Sequence, residues 1–538
     1  MAILELLLLL FLSSVALGWL ARHFKFPYPI ALVAGGAFLG LVPNLPQYVF
    51  DPQLILVAVL PPILYQAALL TSWTDFKANI RPIGLHAIGL VAVTTLAVGA
   101  ALKWMVPDVP WAAAFVLGAI VSPPDAVAAT AILSRLNMPR RIVTLLEGES
   151  LVNDASGLVL YKFAVAAVLT GAFSFIDASA QFVLVSAGGI AVGAALAFVY
   201  IAVHRRLGDP FIEVLTVLTI PYAAYVAAEL LHVSGVLAVV TAGLVRGRYA
   251  PEIVSAEMRI MARSVWNILV FLLNSLVFIL IGLQIQAVVL ENLQRYSAMQ
   301  LTMIGLVVTG VAVVVRFAWV FPVGLLPQAR TDRRELLIMG WCGMRGIVSV
   351  AAALALPLQL PGGAPFPHRD LIIFVTFVVV LSTLLFQGLT LAPLIRRLKV
   401  GAQWSVHDEQ LRVRAAMSEA ALAAIDRDLG TMGTPPQWAQ ALKQQIGDRI
   451  AMAALDSSEL TPRMEQVNRL RHAAIKAERG ELLRLWRANE IGDEVMHHLM
   501  EMLDYEQAQI PASAATATSS PVAVAGVTED ESPASTNG

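Results

Sequence analysis

Residues 148–157 read GESLVNDASG. They lie inside an otherwise apolar run, 142–170, that exceeds the roughly 17–25 residues a membrane-crossing helix needs. Two carboxylates, Glu149 and Asp154, and the carboxamide of Asn153 therefore fall where hydrocarbon would surround the chain. An ionisable group at the centre of a membrane helix costs about 2.5–3.5 kcal/mol on insertion scales, so its presence there points to function.

The composition places that run in lipid. Of 538 residues, 58% are hydrophobic and only 14% charged, with a mean hydropathy of +0.72. A soluble domain is about half apolar and a quarter charged, and could not bury the excess. The chain reads as an all-α polytopic membrane protein. A net charge of −1 without a long basic block excludes a nucleic-acid partner. The single cysteine, Cys342, excludes internal disulfides and a cysteine metal cluster. The opening MAILELLLLLFLSSVALGWLARHFK lacks a basic stretch before its apolar run, so it reads as a first membrane helix rather than a signal peptide.

Thirteen apolar runs follow one another, near 2–20, 27–45, 52–71, 84–106, 110–134, 142–170, 180–203, 211–230, 233–245, 264–285, 299–327, 336–358 and 371–395. Alternate loops, from Arg22 to Lys399, hold most of the basic residues; the opposite loops hold only Lys103, Arg295 and Arg369. By the positive-inside rule the N-terminus is outside and the tail cytoplasmic, in a plasma (inner) membrane. Residues 1–400 form the transmembrane domain. Residues 401–507 change to frequent charges with apolar positions at helical spacing, a cytoplasmic helical tail. The segment 508–538, rich in Ala, Ser, Thr and Pro without aromatics, is expected to be disordered.

Two runs carry helix breakers at mid-depth. The fifth contains VSPPDAVAA, in which Pro123 and Pro124 remove amide donors; the twelfth contains WCGMRGIVS, with Gly343 and Gly346 around Arg345. Freed backbone groups cannot face lipid. An offset of seven makes runs 5 and 12 antiparallel, as two inverted six-helix repeats (1–6 and 8–13) would require. Transporters of that design place the substrate where broken helices cross.

Asp154 falls near the middle of its run, and Ser150 one turn earlier shares its face. A carboxylate with a hydroxyl is a hard-oxygen set that suits an alkali cation. Asn153 and Glu149 form a second such pair, rotated by about 100°. Arg345 is the expected counter-charge of Glu149, because a lone buried guanidinium would be costly; that pair is either a brace or part of transport. Asp154 is either the ion site or the partner of Lys162 two turns on. Asp125 follows the double proline as a helix cap or an ion ligand. Glu213 reads as a surface pair beside a basic loop, Arg316 and Glu229 as a pair across helices, and His86, His204 and His232 as single residues near membrane edges.

LPPILYQAALLTS, SPPDAVAATAIL, LEGESLVNDASGLVLYKFAV and WCGMRGIVSVAAALALP, in this order along the chain, resemble the sodium/proton exchanger branch of the monovalent cation/proton antiporter superfamily across residues 1–400. The resemblance implies a thirteen-helix fold, a homodimer and exchange of Na⁺, or a similar cation such as Li⁺ or K⁺, for H⁺. It also implies that Asp154 is the essential ion-binding aspartate, Asn153 the preceding asparagine, Ser150 a ligand of the metal ion, and Glu149 with Arg345 a bracing pair. The chain departs from the family at Pro124-Asp125-Ala126, where relatives read Thr-Asp-Pro, and at Gln66, where many have an acid; both bear on ion choice.

The expected mechanism follows. Burial disfavours the charged form of a carboxylate and a bound cation favours it, so proton and cation compete for Asp154. With Asn153 neutral, one positive charge replaces another and the cycle is electroneutral. No cofactor is needed. A channel would also want polar groups at mid-depth, but a single titratable acid at a helix crossing suits alternating access better. An enzyme is disfavoured because G-x-S-x-G is absent and no histidine is placed to act as base. A sensor signalling through the tail would leave the intramembrane carboxylates unexplained.

Overall fold

A computed structural model describes residues 2–23, 28–41, 52–125, 129–130, 133, 136, 138–171, 175–325, 331–400, 406–430, 439–444, 446–447, 457–488, 490–491 and 493–508. Apart from an isolated bridge between Gln359 and Pro365, these residues form helices and their connections. The chain separates into two units, Met1–Gln403 and Trp404–Gly538.

The first unit runs through α1 (Ala2–His23), α2 (Tyr28–Gly40), α3 (Pro52–Leu70), α4 (Trp73–Ala78), α5 (Ile80–Gly84) and α6 (Val91–Met105) to α7 (Trp111–Val121). It continues with α8 (Arg140–Thr170), α9 (Phe175–His204), α10 (Pro210–Leu230), α11 (Gly235–Ile253) and α12 (Ala256–Leu293). It closes with α13 (Ala298–Gly324), α14 (Arg333–Trp341), α15 (Ile347–Leu354) and α16 (Arg369–Leu398). The second unit holds α17 (Val406–Gly430), α18 (Ser457–Arg487) and α19 (Asp493–Ala508). Residues 509–538, expected to be disordered, lie outside the described residues.

Seven helical stretches among the described residues are long and apolar enough to cross a membrane: Ile80–Met105, Arg141–Thr170, Ala180–His204, Pro210–Leu230, Glu257–Leu293, Ala298–Gly324 and Arg369–Leu398. Shorter apolar helices stand among them. The protein is thus a multi-pass membrane protein. In lipid only helices satisfy their own backbone, and the chain starts its helices accordingly. Asp209 accepts from the amides of Phe211 (2.8 Å) and Ile212 (3.2 Å) with Pro210 at the first position, and Ser297 with Gln300 forms a capping box.

Helices of the first unit pack in two groups. One comprises α1, α2, α3 and α9–α12; the other comprises α5–α8 and α13–α16, and contacts are denser within each group than between them. Both expected interruptions, at Pro123–Pro124 and at Gly343–Gly346, lie in the second group, where α7 stops at Val121 and a non-helical stretch separates α14 from α15. The first group, termed the scaffold below, holds neither interruption.

One feature departs from regular helix where the sequence predicted none: Leu85–Leu90, between α5 and α6, is a π-helical turn. Such widened turns disturb the backbone ladder. Here Ser156 of α8 donates to the Ala87 carbonyl at 2.6 Å, tying α8 to that turn.

Candidate ion-binding site

The two interruptions touch each other directly. The Asp125 amide donates to the Met344 carbonyl at 2.6 Å, so a backbone donor from one break satisfies an acceptor freed by the other. Gly346, which opens α15, lies against the Asp125 carboxylate so closely that a Cβ would overlap it. That carboxylate therefore sits at the N-terminal end of α15, where the helix dipole favours negative charge. The Asp125 carboxylate thus faces the start of α15 across the crossing. Residues 126–128, the start of its own second half-helix, lie outside the described residues.

Arg345 is fixed within the unwound stretch. Its amide donates to Thr383 Oγ1 at 3.1 Å and its Nε to the Val121 carbonyl at 2.9 Å, while its Nη1 bonds the Gly343 carbonyl. A guanidinium thus meets the last carbonyl of α7, the negative end of that half-helix.

Glu149 is not paired with Arg345 as the sequence suggested. Its carboxylate is held by Arg316 of α13, with Nη1 to Oε1 at 2.5 Å and Nη2 to Oε2 at 3.3 Å, both residues 1% exposed. The physical reason is local. Arg345 stands where broken helix frees carbonyls to accept its donors, and its Nη2 meets the Ala312 carbonyl of α13 at 3.5 Å, so its guanidinium is taken up by backbone and Arg316 meets the carboxylate. Arg316 also donates from Nε to the Met339 carbonyl at 3.2 Å near the end of α14. Asn153 Nδ2 donates to Glu149 Oε1 at 3.3 Å, so the pair predicted at one-turn spacing along α8 is present.

Asp154 lies on the face of α8 pressed against the crossing. One turn before it, Ser150 donates to the Pro124 carbonyl at 3.2 Å. One turn after it, Gly157 meets the Pro123 ring so closely that a Cβ would overlap it. Gly148 serves a different contact, with Ile83 and Phe76. Asp154 is buried. Asp154, one turn after Ser150, and Asp125, next after Pro124, thus flank the Ser150–Pro124 hydrogen bond. Nearby, Asn153 Oδ1 is buried with no hydrogen-bond partner.

The remaining predicted pairs rearrange. Lys162 does not reach Asp154; its Nζ lies 2.5 Å from Glu229 Oε1 of α10, which also removes Glu229 as a partner of Arg316. Glu213 is buried rather than at the surface, with Oε2 3.4 Å from His204 Nε2. His86 is buried within the π turn, where the charge of Glu149 reaches it.

Two interrupted helices crossing in the membrane, with a buried acid of a third helix against the crossing, define a secondary transporter of the broken-helix class. The chain belongs to the sodium/hydrogen exchanger family: the family's transmembrane model matches residues 8–397. It is 33% identical over 517 residues to an uncharacterized Na(+)/H(+) exchanger of Mycobacterium tuberculosis, covering 93% of this chain and 94% of the relative. It is 32% identical to a Bacillus subtilis protein named a sodium, potassium, lithium and rubidium/H(+) antiporter, covering 92% of this chain and 76% of the relative. Its fold is similar to that of the sodium proton antiporter MjNhaP1 from Methanocaldococcus jannaschii, with a TM-score of 0.61, 21% identity, and coverage of 74% of this chain and 99% of that one.

Proposed function

We propose that this protein exchanges a monovalent alkali cation for protons, with Asp154 carrying either one as the second helix group moves against the scaffold. The observation that carries this reading is the placement of buried Asp154 against the crossing, with Ser150 bonded to the Pro124 carbonyl beside it. In a water-poor site, the charged carboxylate is stabilised by a cation and the neutral one by a proton, so the two ligands exclude each other. Ser150 Oγ, after donating to Pro124, keeps lone pairs for a metal ion. Asn153 stays neutral and orients Glu149, while Asp125 supplies a second negative charge or fixes α15.

A swap of one positive charge for another makes the cycle electroneutral. Oxygen ligands without a threonine at the crossing suit a site that accepts several alkali ions, and the name of the Bacillus subtilis relative supports that breadth. We further infer thirteen spans in two inverted repeats, an N-terminus outside, a cytoplasmic tail after residue 400, and a homodimer in the plasma (inner) membrane. The distribution of basic residues and the family resemblance support these assignments.

Proteoliposomes holding an outward Na⁺, Li⁺ or K⁺ gradient test the reading. Proton uptake should follow each transported cation, vanish in Asp154→Asn, and be insensitive to a membrane potential set by a permeant anion such as thiocyanate during Na⁺-driven exchange. Unaltered exchange by Asp154→Asn would refute it.

A further inference from the structure

The Lys162–Glu229 ion pair joins the two helix groups, α8 from the group that holds the candidate site and α10 from the scaffold. Its place along the helices is informative. Lys162 is eight residues beyond Asp154, about 12 Å at ~1.5 Å per residue, and Glu229 is in the last turn of α10. Both helices begin next to basic loops, at Arg140–Arg141 and Arg205–Arg206. The pair therefore lies on the membrane side opposite those loops, between Asp154 and the exterior. α8 otherwise meets the scaffold chiefly through α11 and α3.

The scaffold is shaped for this contact. At Gly235, the first residue of α11, a Cβ would come within 3.0 Å of Glu229 Oε1 and 2.8 Å of Tyr225 Cδ2, so the absence of a side chain leaves room for the carboxylate. Exposure separates this pair from the one at the crossing. The side chains of Lys162 and Glu229 are 46% and 38% exposed, against 1% for Glu149 and Arg316. A buried pair is costly to part because each charge is stranded, whereas water can receive the charges of an exposed pair. The Glu149–Arg316 pair, joining α8 and α13 of one group, can persist through a cycle; a contact between groups that move past each other cannot.

We propose that Lys162 and Glu229 form the outer latch of the exchanger, closed while Asp154 is shielded from the exterior and broken each time Asp154 opens to it. The inference rests on the alternating movement argued above, and it assigns two residues outside the ion site a role in the transport cycle. Neutralising either residue shifts the population toward the outward-open form by the small factor an exposed pair provides, about two- to fivefold.

A labelling assay in right-side-out vesicles tests it, with an impermeant thiol reagent added outside and, in a Cys342→Ala background, Leu158→Cys, buried one turn beyond Asp154 on α8. Lys162→Gln and Glu229→Gln should each raise the labelling rate about two- to fivefold, and the exchanged pair Lys162→Glu with Glu229→Lys should bring it back toward the parent rate. Unchanged rates in both single variants, or a swapped pair no closer to the parent than the singles, would overturn the latch. A second measurement guards against an altered fold at position 158: Lys162→Cys with Glu229→Cys in the Cys342→Ala background, joined by a short bis-methanethiosulfonate that forms a disulfide with each thiol as methanesulfinate leaves, should lose exchange and regain it on reduction. Full exchange by the joined protein would equally overturn the proposal. Labelling needs no transport, so failure of the parent chain to exchange cations for protons would count against the proposed function and leave the latch to be decided separately.

Discussion

Arg316 of α13 holds both carboxylate oxygens of Glu149 on α8, at 2.5 and 3.3 Å, and neither side chain reaches solvent. Glu149 lies five residues before Asp154 on α8, with Asn153 bonded to it. The pair fixes the rotation of α8, and so decides which face of that helix meets the crossing.

Removing one partner strands the other charge in a buried place. Glu149→Ala and Arg316→Ala should each destabilise the protein by about 3–5 kcal/mol, seen as early loss of the monodisperse peak on heating in detergent. A double-mutant cycle should show strong coupling between Glu149 and Arg316, about 0.5–3 kcal/mol, and weaker coupling between Glu149 and Arg345. The reverse order would contradict the observed pairing.

Two glycines at the crossing leave no room for a side chain. Gly157→Ala drives a methyl into the Pro123 ring and Gly346→Ala drives one into the Asp125 carboxylate, so each should cost about 1–3 kcal/mol and slow exchange by at least tenfold. Gly362→Ala, with open space at that point, should leave exchange rates at the parent value.

Ser150→Ala removes the donor to the Pro124 carbonyl and a hydroxyl beside Asp154. The account predicts a raised KM for the cation with a smaller change in maximal rate, measured as cation-dependent proton flux. A fall in rate with unchanged KM would argue that Ser150 only positions the break.

A pH effect is expected outside the membrane segments. Burial, reinforced by Arg295, holds the His368 imidazole below its usual range, while Tyr296 Oη lies 3.1 Å from its Nδ1. A histidine with a lowered folded pKa takes up its proton more readily when unfolded. Stability should therefore fall as pH drops below about 6.5 and level off below the folded value. The thermal midpoint of His368→Gln should vary less across that window than that of the parent chain.

Much of this arrangement is legible in the sequence because it is dictated by local chemistry. The apolar runs fix where helices lie, Pro123–Pro124 and Gly343–Gly346 fix where two of them break, and the depth of Asp154 marks it among the other acids. Ser150 and Asn153 follow from helical spacing. Partner choice between helices did not follow, since it depends on rotations and crossings that a periodicity does not contain. Glu149 could equally have met Arg345, and only the unwound backbone around Arg345, with its free carbonyls, explains why it met Arg316. The π turn at Leu85–Leu90 likewise has no breaker to announce it. Lys162 and Glu229 were assigned other partners because nothing in their own segments indicates which helices stand side by side.

The central claim is that Asp154 gives up a proton when it takes a cation. Calorimetric titration of the purified protein with Na⁺, repeated in buffers of different protonation enthalpy, reads that exchange directly. About one proton should be released per cation bound when the site starts protonated, and Asp154→Asn should show no release. Cation binding by the parent chain without buffer-dependent heat, or unchanged proton release in Asp154→Asn, would contradict the account.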